Sequence, residues 1–283
     1  MKRVAIVISV LGMCAWSFGQ GNDKPAAQSA PAGQAAATAP QGKRPPAAKT
    51  TPEFDAYKAA MAQTDAAATE KAADDFAAKF PDSELRGLLY TAAEQRYQSA
   101  NNADKMMDMA RKVLAIDPDD PAALVGLAQG IAERTHDTDL DKDQRLAEAK
   151  KDAERALVTV DTDVPASGYP PEQLAAYKGF LRSEAYAILG KLASDASNWA
   201  EAETNLRKSI DALPQQPDPV AVFRLAVALD MQKKVPEALK FANQAVDMTK
   251  DRPDSGVGKA AREEQDRLTK LNGGTAPGAT PKN

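Results

Sequence analysis

The side chains on which most protein chemistry depends are scarce in this chain. Its 283 residues include one histidine, His136, and one cysteine, Cys14. A two-histidine zinc site and a His-Glu-x-x-His helix are therefore excluded. A Ser-His-Asp arrangement would have to use His136, which lies in a charged stretch, and no Gly-x-Ser-x-Gly turn offers it a nucleophile. Ser255-Gly256-Val257-Gly258-Lys259 has a superficial likeness to a phosphate loop. It lacks the leading glycine, has Ala260 where a hydroxyl should hold magnesium, and follows no strand. These absences argue against an enzyme. Aromatic residues are only 5% of the chain and much of the apolar share is alanine, which favours thin, closely approaching helical layers over a thick mixed core. The net charge is −4 and no basic stripe exists, so nucleic acid is not an expected partner. Alternating β-branched runs are also missing, which leaves no signal for a sheet.

What is present begins with Lys2 and Arg3, followed by the uncharged run Val4–Phe18. Fifteen residues fall short of the roughly 20 needed to cross a bilayer as a helix, and Ser17 and Gly19 put small residues before Gln20. Residues 1–19 are therefore expected to be a secretory signal cleaved before Gln20, placing the chain in the periplasm or outside the cell. Met13 precedes Cys14 where a lipoprotein signal would have a small residue, so no lipid anchor is expected at Cys14. Without the leader no cysteine remains, and stability must come from packing rather than disulfides. Residues 20–50 are an Ala/Pro-rich segment with no apolar side chain larger than alanine, expected to be a disordered linker reaching up to ~90 Å at about 3.1 Å per residue. Residues 273–283 are expected to be a similar tail.

Between these ends the pattern is helical and periodic. In the clearest unit, Tyr186, Leu189 and Gly190 precede Ala193, and Trp199, Ala202, Leu206, Ser209 and Ile210 lead to Pro214. A second unit places Tyr90, Ala93, Glu94 and Tyr97 on a first helix, then Met106, Ala110, Val113 and Leu114 on a second, closing at Pro118. Tyr97 and Pro118 are 21 residues apart, as are Ala193 and Pro214. These residues resemble the tetratricopeptide repeat, a helix–turn–helix of about 34 residues. Repeats are placed near 53–86, 87–120, 121–164 with an insertion, 183–216 and 219–252. A capping helix follows over 256–271, and the whole array occupies 51–272. In the opening repeat Phe54, Tyr57, Phe76 and Phe80 are core candidates. Gly190 and Ala202 are expected to be small so that two helices can approach, and Glu94, replacing a glycine, is expected to widen its own helix pair.

The resemblance implies an all-α, right-handed solenoid whose first helices line a concave groove that binds segments of other proteins. The expected function is a non-enzymatic interaction scaffold or adaptor of the periplasm or cell envelope, without a cofactor and with other polypeptides as partners. On the fifth repeat Val222, Leu225, Ala226 and Leu229 are packing residues. Val220, Phe223, Val227 and Met231, spaced 3, 4 and 4, form a second stripe assigned to the partner-binding groove. The matching places of the second repeat, Thr91, Gln95 and Gln98, are polar. One acidic constellation, Asp137, Asp139, Asp141, Asp143 and Glu148, has the spacing of a calcium loop. Lys142 stands where that loop needs glycine, so the reading taken here is a solvated turn whose aspartates cap the next helix. A calcium-responsive envelope protein is the alternative.

Overall fold

The computed structural model describes residues 43–165 and 170–273. The proposed leader with Cys14 and Gln20, most of the 20–50 segment and residues 274–283 lie outside the described residues. Every regular element within them is an α-helix. In order these are α1 (Thr51–Met61), α2 (Ala66–Lys79), α3 (Arg86–Ser99), α4 (Ala103–Ile116), α5 (Pro121–Arg134), α6 (Lys142–Thr159), α7 (Pro171–Asp195), α8 (Trp199–Ala212), α9 (Pro219–Met231), α10 (Val235–Met248) and α11 (Gly256–Leu271).

Local chemistry sets where these helices start and stop. Asp120 and Asp218 stand immediately before Pro121 and Pro219. Their carboxylates accept backbone N–H groups of the first turn, from Ala123 at 2.9 Å and from Val220 and Ala221 at 3.1 and 3.2 Å. Proline at the first helical position sacrifices only an amide that has no partner there. The turns after α3, α7 and α9 share one form. Asn101, Ser197 and Lys233 adopt left-handed backbone at φ 54°, 57° and 64°. The next amide then reaches back to a carbonyl five residues earlier: Asn102 to Tyr97, Asn198 to Ala193 and Lys234 to Leu229. This Schellman closure satisfies carbonyls the ending helix leaves open, and it turns the chain sharply into the following helix.

Successive helices pack against one another throughout. Most odd-numbered helices also meet the next odd-numbered helix (α1 with α3, α5 with α7, α7 with α9 and α9 with α11), whereas no two even-numbered helices do so to a comparable extent. A two-layer stack in which only one layer has neighbours in mutual contact must curve toward that layer. The odd helices therefore form the inner, concave layer. Two main core clusters result. One runs from α1 to the middle of α7 and contains Leu89, Met109, Val113, Ile131 and Leu181. The other runs from α7 to α11 and contains Leu206, Leu225, Leu229 and Leu268. Helix α7, 25 residues long, belongs to both. Between them the buried Ser183 hydroxyl donates to the Ser209 carbonyl at 2.9 Å and lies 3.2 Å from the Ser209 hydroxyl, so this polar pair carries no desolvation debt.

Four sequence expectations need correction. Phe54 is not core: it is 44% exposed, with the Lys58 ammonium 4.8 Å from its ring centre, while Phe76 is buried and Tyr57 and Phe80 are half-buried against the core. Gly190 does make room for α8, but the residue nearest it is Leu206 rather than Ala202. A Cβ there would stand 2.6 Å from Leu206 Cγ, so the glycine makes room for a fully buried leucine on α8. Glu94 leaves the α3–α4 pair closely packed and turns to α5, where a Cβ on Gly126 would stand 2.5 Å from its Oε1. The carboxyl group therefore sits between two units rather than between the helices of its own pair. Finally, residues 43–50, expected to belong to a disordered linker, lie as an extended strap against the loops that follow α2, α4 and α6.

Candidate functional site

The inner layer presents different chemistry along its length. On α3, Gln95 and Gln98 are exposed and Thr91 is half-buried, its hydroxyl donating to the Gly87 carbonyl at 3.1 Å. Where α5, α7 and α9 face one another there is a shallow depression bordered by Gln129, Glu133, Glu184, Lys191, Asp218 and Arg224, with Ala132, Ala187 and Ile188 at its base. The Gln129 amide donates to Glu133 at 3.2 Å, Lys191 pairs with Asp195 at 2.5 Å, and Asp218 is committed to capping α9. Charged groups of both signs therefore frame a small apolar floor.

On α9 the surface becomes apolar. Val222, Leu225, Ala226 and Leu229 are fully buried. Val220, Phe223 and Val227 are half-buried and Met231 is 49% exposed. Two faces of one helix are thus apolar, and the packed neighbours cover only one of them completely. Phe223 rests at its base against the small cluster of Val222, Ala245 and Ala261. At the end of the stripe an ion pair joins the apolar packing: beside buried Leu268, Arg267 on α11 meets Asp230 of α9 at 2.5 Å, and Met231 stays exposed.

Ionic anchors tie the outer helices α2 and α8 to the units that follow. On α2, Glu70 accepts the Tyr97 hydroxyl at 2.5 Å and the Lys105 ammonium at 2.9 Å, and Asp74 accepts Tyr90 at 2.9 Å and Lys112 at 2.7 Å. Burial, and then hydrogen bonding to these carboxylates, pushes both phenols up to about 12. On α8, Glu203 takes Lys234 at 2.7 Å, the Gln232 amide at 2.8 Å and Arg207 at 2.9 Å. Its carboxyl is held below the usual range by these donors against the opposing cost of its burial. The anchoring carboxylates are structural and lie on the outer helices α2 and α8.

The acidic insertion is not gathered into a site. Asp137 is almost fully exposed and accepts the Lys142 ammonium at 2.7 Å, which holds its pKa below the ordinary value. Asp139 accepts the His136 amide at 2.9 Å and lies 3.4 Å from Arg145. Asp141 precedes α6 without a capping bond, Asp143 lies in its first turn, and Glu148, already on the helix, faces Arg111 at 4.0 Å. Lys142 thus takes the space a cation would need. Among the described residues no three acidic, histidine or cysteine side chains converge as metal ligands.

A feature that sequence reasoning missed is a more apolar cleft where α6, α7 and α8 meet. Leu146, Leu189, Leu192 and Ala193 line it, and the Lys150–Glu201 pair at 3.4 Å borders it. The periodicity of α6 places Leu146 on the packing side, but nothing in the sequence shows that a cleft remains between it and α7 and α8.

This geometry defines a class: a curved, two-layer array of antiparallel helix pairs with an open inner face. No protein-family model and no curated protein matches the chain. Among solved structures it is similar to an assembly chaperone of RpL4 (Acl4, residues 1–338), at 15% identity and a TM-score of 0.38, covering 78% of this chain and 98% of that one. Nothing about partner or activity follows from a likeness of that degree. Among the described residues no helix is long and apolar enough to cross a membrane.

Proposed function

We propose that the chain is a non-catalytic, tetratricopeptide-type scaffold that binds a segment of another protein along its concave face, in an exported setting. The observation that carries this reading is the second apolar stripe of α9. Burying an apolar side chain typically stabilises by ~1.5–3 kcal/mol, and leaving one half-covered forgoes part of that gain. Four such residues in line on the inner layer, beside a charged depression, suit a partner that brings apolar side chains and meets polar groups at its flanks. The polar inner face of α3 makes the N-terminal half a poorer anchor, so the main contact is assigned to α9 and its border with α7.

The test is selection of a random peptide library against the purified full chain, followed by affinity measurement. Enriched peptides should carry spaced apolar residues. Phe223→Ser with Val227→Thr should weaken their binding at least tenfold while circular dichroism stays unchanged, because both side chains are only half-buried. Normal binding by the double variant, or enrichment of peptides without apolar residues, would place the contact elsewhere.

A further inference from the structure

We propose that residues 43–50 are an ionic clip, seated on the edge formed by the inter-pair loops, which couples the first three helix pairs into one cooperative unit. This inference is independent of the groove reading, since the clip lies on the loop edge. The Lys43 amide donates to the Thr162 carbonyl at 3.0 Å, after α6. Its ammonium pairs with Asp117, after α4, and stands 3.5 Å from Asp163. Arg44 pairs with Glu84, after α2, whose other oxygen accepts the Ala47 amide at 3.3 Å. Lys49 donates to the Asp82 carbonyl at 2.8 Å, and Ala48 packs against the first core cluster. Two adjacent residues therefore touch the loops that close three successive helix pairs.

Three physical arguments give this strap a role beyond that of scattered surface ion pairs, which singly contribute little. First, in a stacked array each unit touches only its neighbours, so coupling is normally nearest-neighbour. A strap that holds the loops after α2, α4 and α6 together adds a contact between units one and three. Second, Pro45 and Pro46 have fixed φ and no amide hydrogen, which disfavours helix and holds the segment extended. Less chain entropy is then lost on seating. Third, the charges are complementary: Lys43, Arg44 and Lys49 face Asp117, Asp163 and Glu84 together with a loop carbonyl. One consequence is directional. Among the described residues, the chain therefore runs from the α6–α7 loop back to α1 and first touches the array at its third unit.

Hydrogen exchange of the full chain, read by peptide mass spectrometry at low and high salt, tests the clip. Lys43→Glu should speed exchange several-fold in α1 to α6 at low salt and leave α8 to α11 unchanged. High salt should also speed exchange in α1 to α6 of the unaltered chain, because exposed pairs are screened, and should shrink the difference between it and the variant there. Restoring the pair with reversed charges, Lys43→Glu with Asp117→Lys, should recover much of the protection. Unchanged exchange in α1 to α6, an equal rise along the whole chain, or failure of the reversed pair to recover protection would each overturn the proposal.

Discussion

Two contacts show how much single positions matter in so alanine-rich a core. At Gly190, any side chain meets Leu206, whose Cγ and Cδ2 would stand 2.6 and 2.8 Å from the new Cβ. Leu206 is fully buried, so its displacement would disturb the core around it. Gly190→Ala is therefore expected to destabilise the chain by about 1–3 kcal/mol through overpacking, despite alanine's better helix propensity. Urea unfolding should show the loss as a lower midpoint. Glu94 is the second case. Its side chain keeps some exposure, but its carboxyl is densely surrounded, and that burial, with repulsion from Asp120, pushes it up to about 8. An unfolded glutamate ionises near 4.5, so between about pH 4.5 and 8 the folded chain holds a proton that the unfolded chain releases. Stability should fall as pH rises through that window and level off above it. Glu94→Gln should flatten that part of the stability–pH profile; an unaltered slope would show that the carboxyl is effectively solvated. That Glu94 stands where the repeat resemblance expects a glycine is visible in the sequence. That the carboxyl would cross to Gly126 is not, because the spacing along α3 says nothing of which residue of α5 lies opposite.

Among the elements, the shared turn after α3, α7 and α9 is the most informative. All three units put a residue other than glycine in left-handed backbone, which costs roughly 1–2 kcal/mol for an ordinary L residue. Asparagine, as at 101, is among the residues that tolerate it best, whereas lysine, as at 233, is not. Lys233→Gly is therefore expected to raise stability by up to about 1 kcal/mol, readable as a higher thermal midpoint, whereas Asn101→Gly should gain less. The insertion between α5 and α6 lacks this turn: α5 ends at Thr135 in extended backbone, with no left-handed residue to reverse the chain. Its acidic spacing resembles that of a calcium loop, yet α6 begins at Lys142 and carries Asp143 and Glu148 along its own axis. Helix formation and loop coordination compete for the same residues, and here the helix prevails.

Across the whole molecule, curvature follows from which layer has its members in contact, and the open inner face follows from curvature. The two main core clusters meet on α7, where Leu181 and Ile188 serve one and Ala187 and Ala193 the other, so that helix transmits packing between the halves. The strap acts only on the first half. Its salt sensitivity should therefore leave the α9 stripe, and binding there, largely unaffected.

The sequence by itself determines that the chain is all-helical and that successive helices stack as pairs, because a 3.6-residue apolar period, proline and aspartate at helix starts and polar turns are local signals. It also carries the two apolar faces of α9 as a pattern, since both can be written on one helical wheel. The tertiary structure alone decides which side chains meet. Leu206 fills the space left by Gly190, Glu94 is taken up by α5, Phe54 stays at the surface, and Lys43 reaches loops 74 and 119 residues away in sequence. Periodicity specifies the direction a residue faces around its own helix. What stands opposite depends on how neighbouring helices are offset and spaced, and that is set by the summed packing of the whole stack.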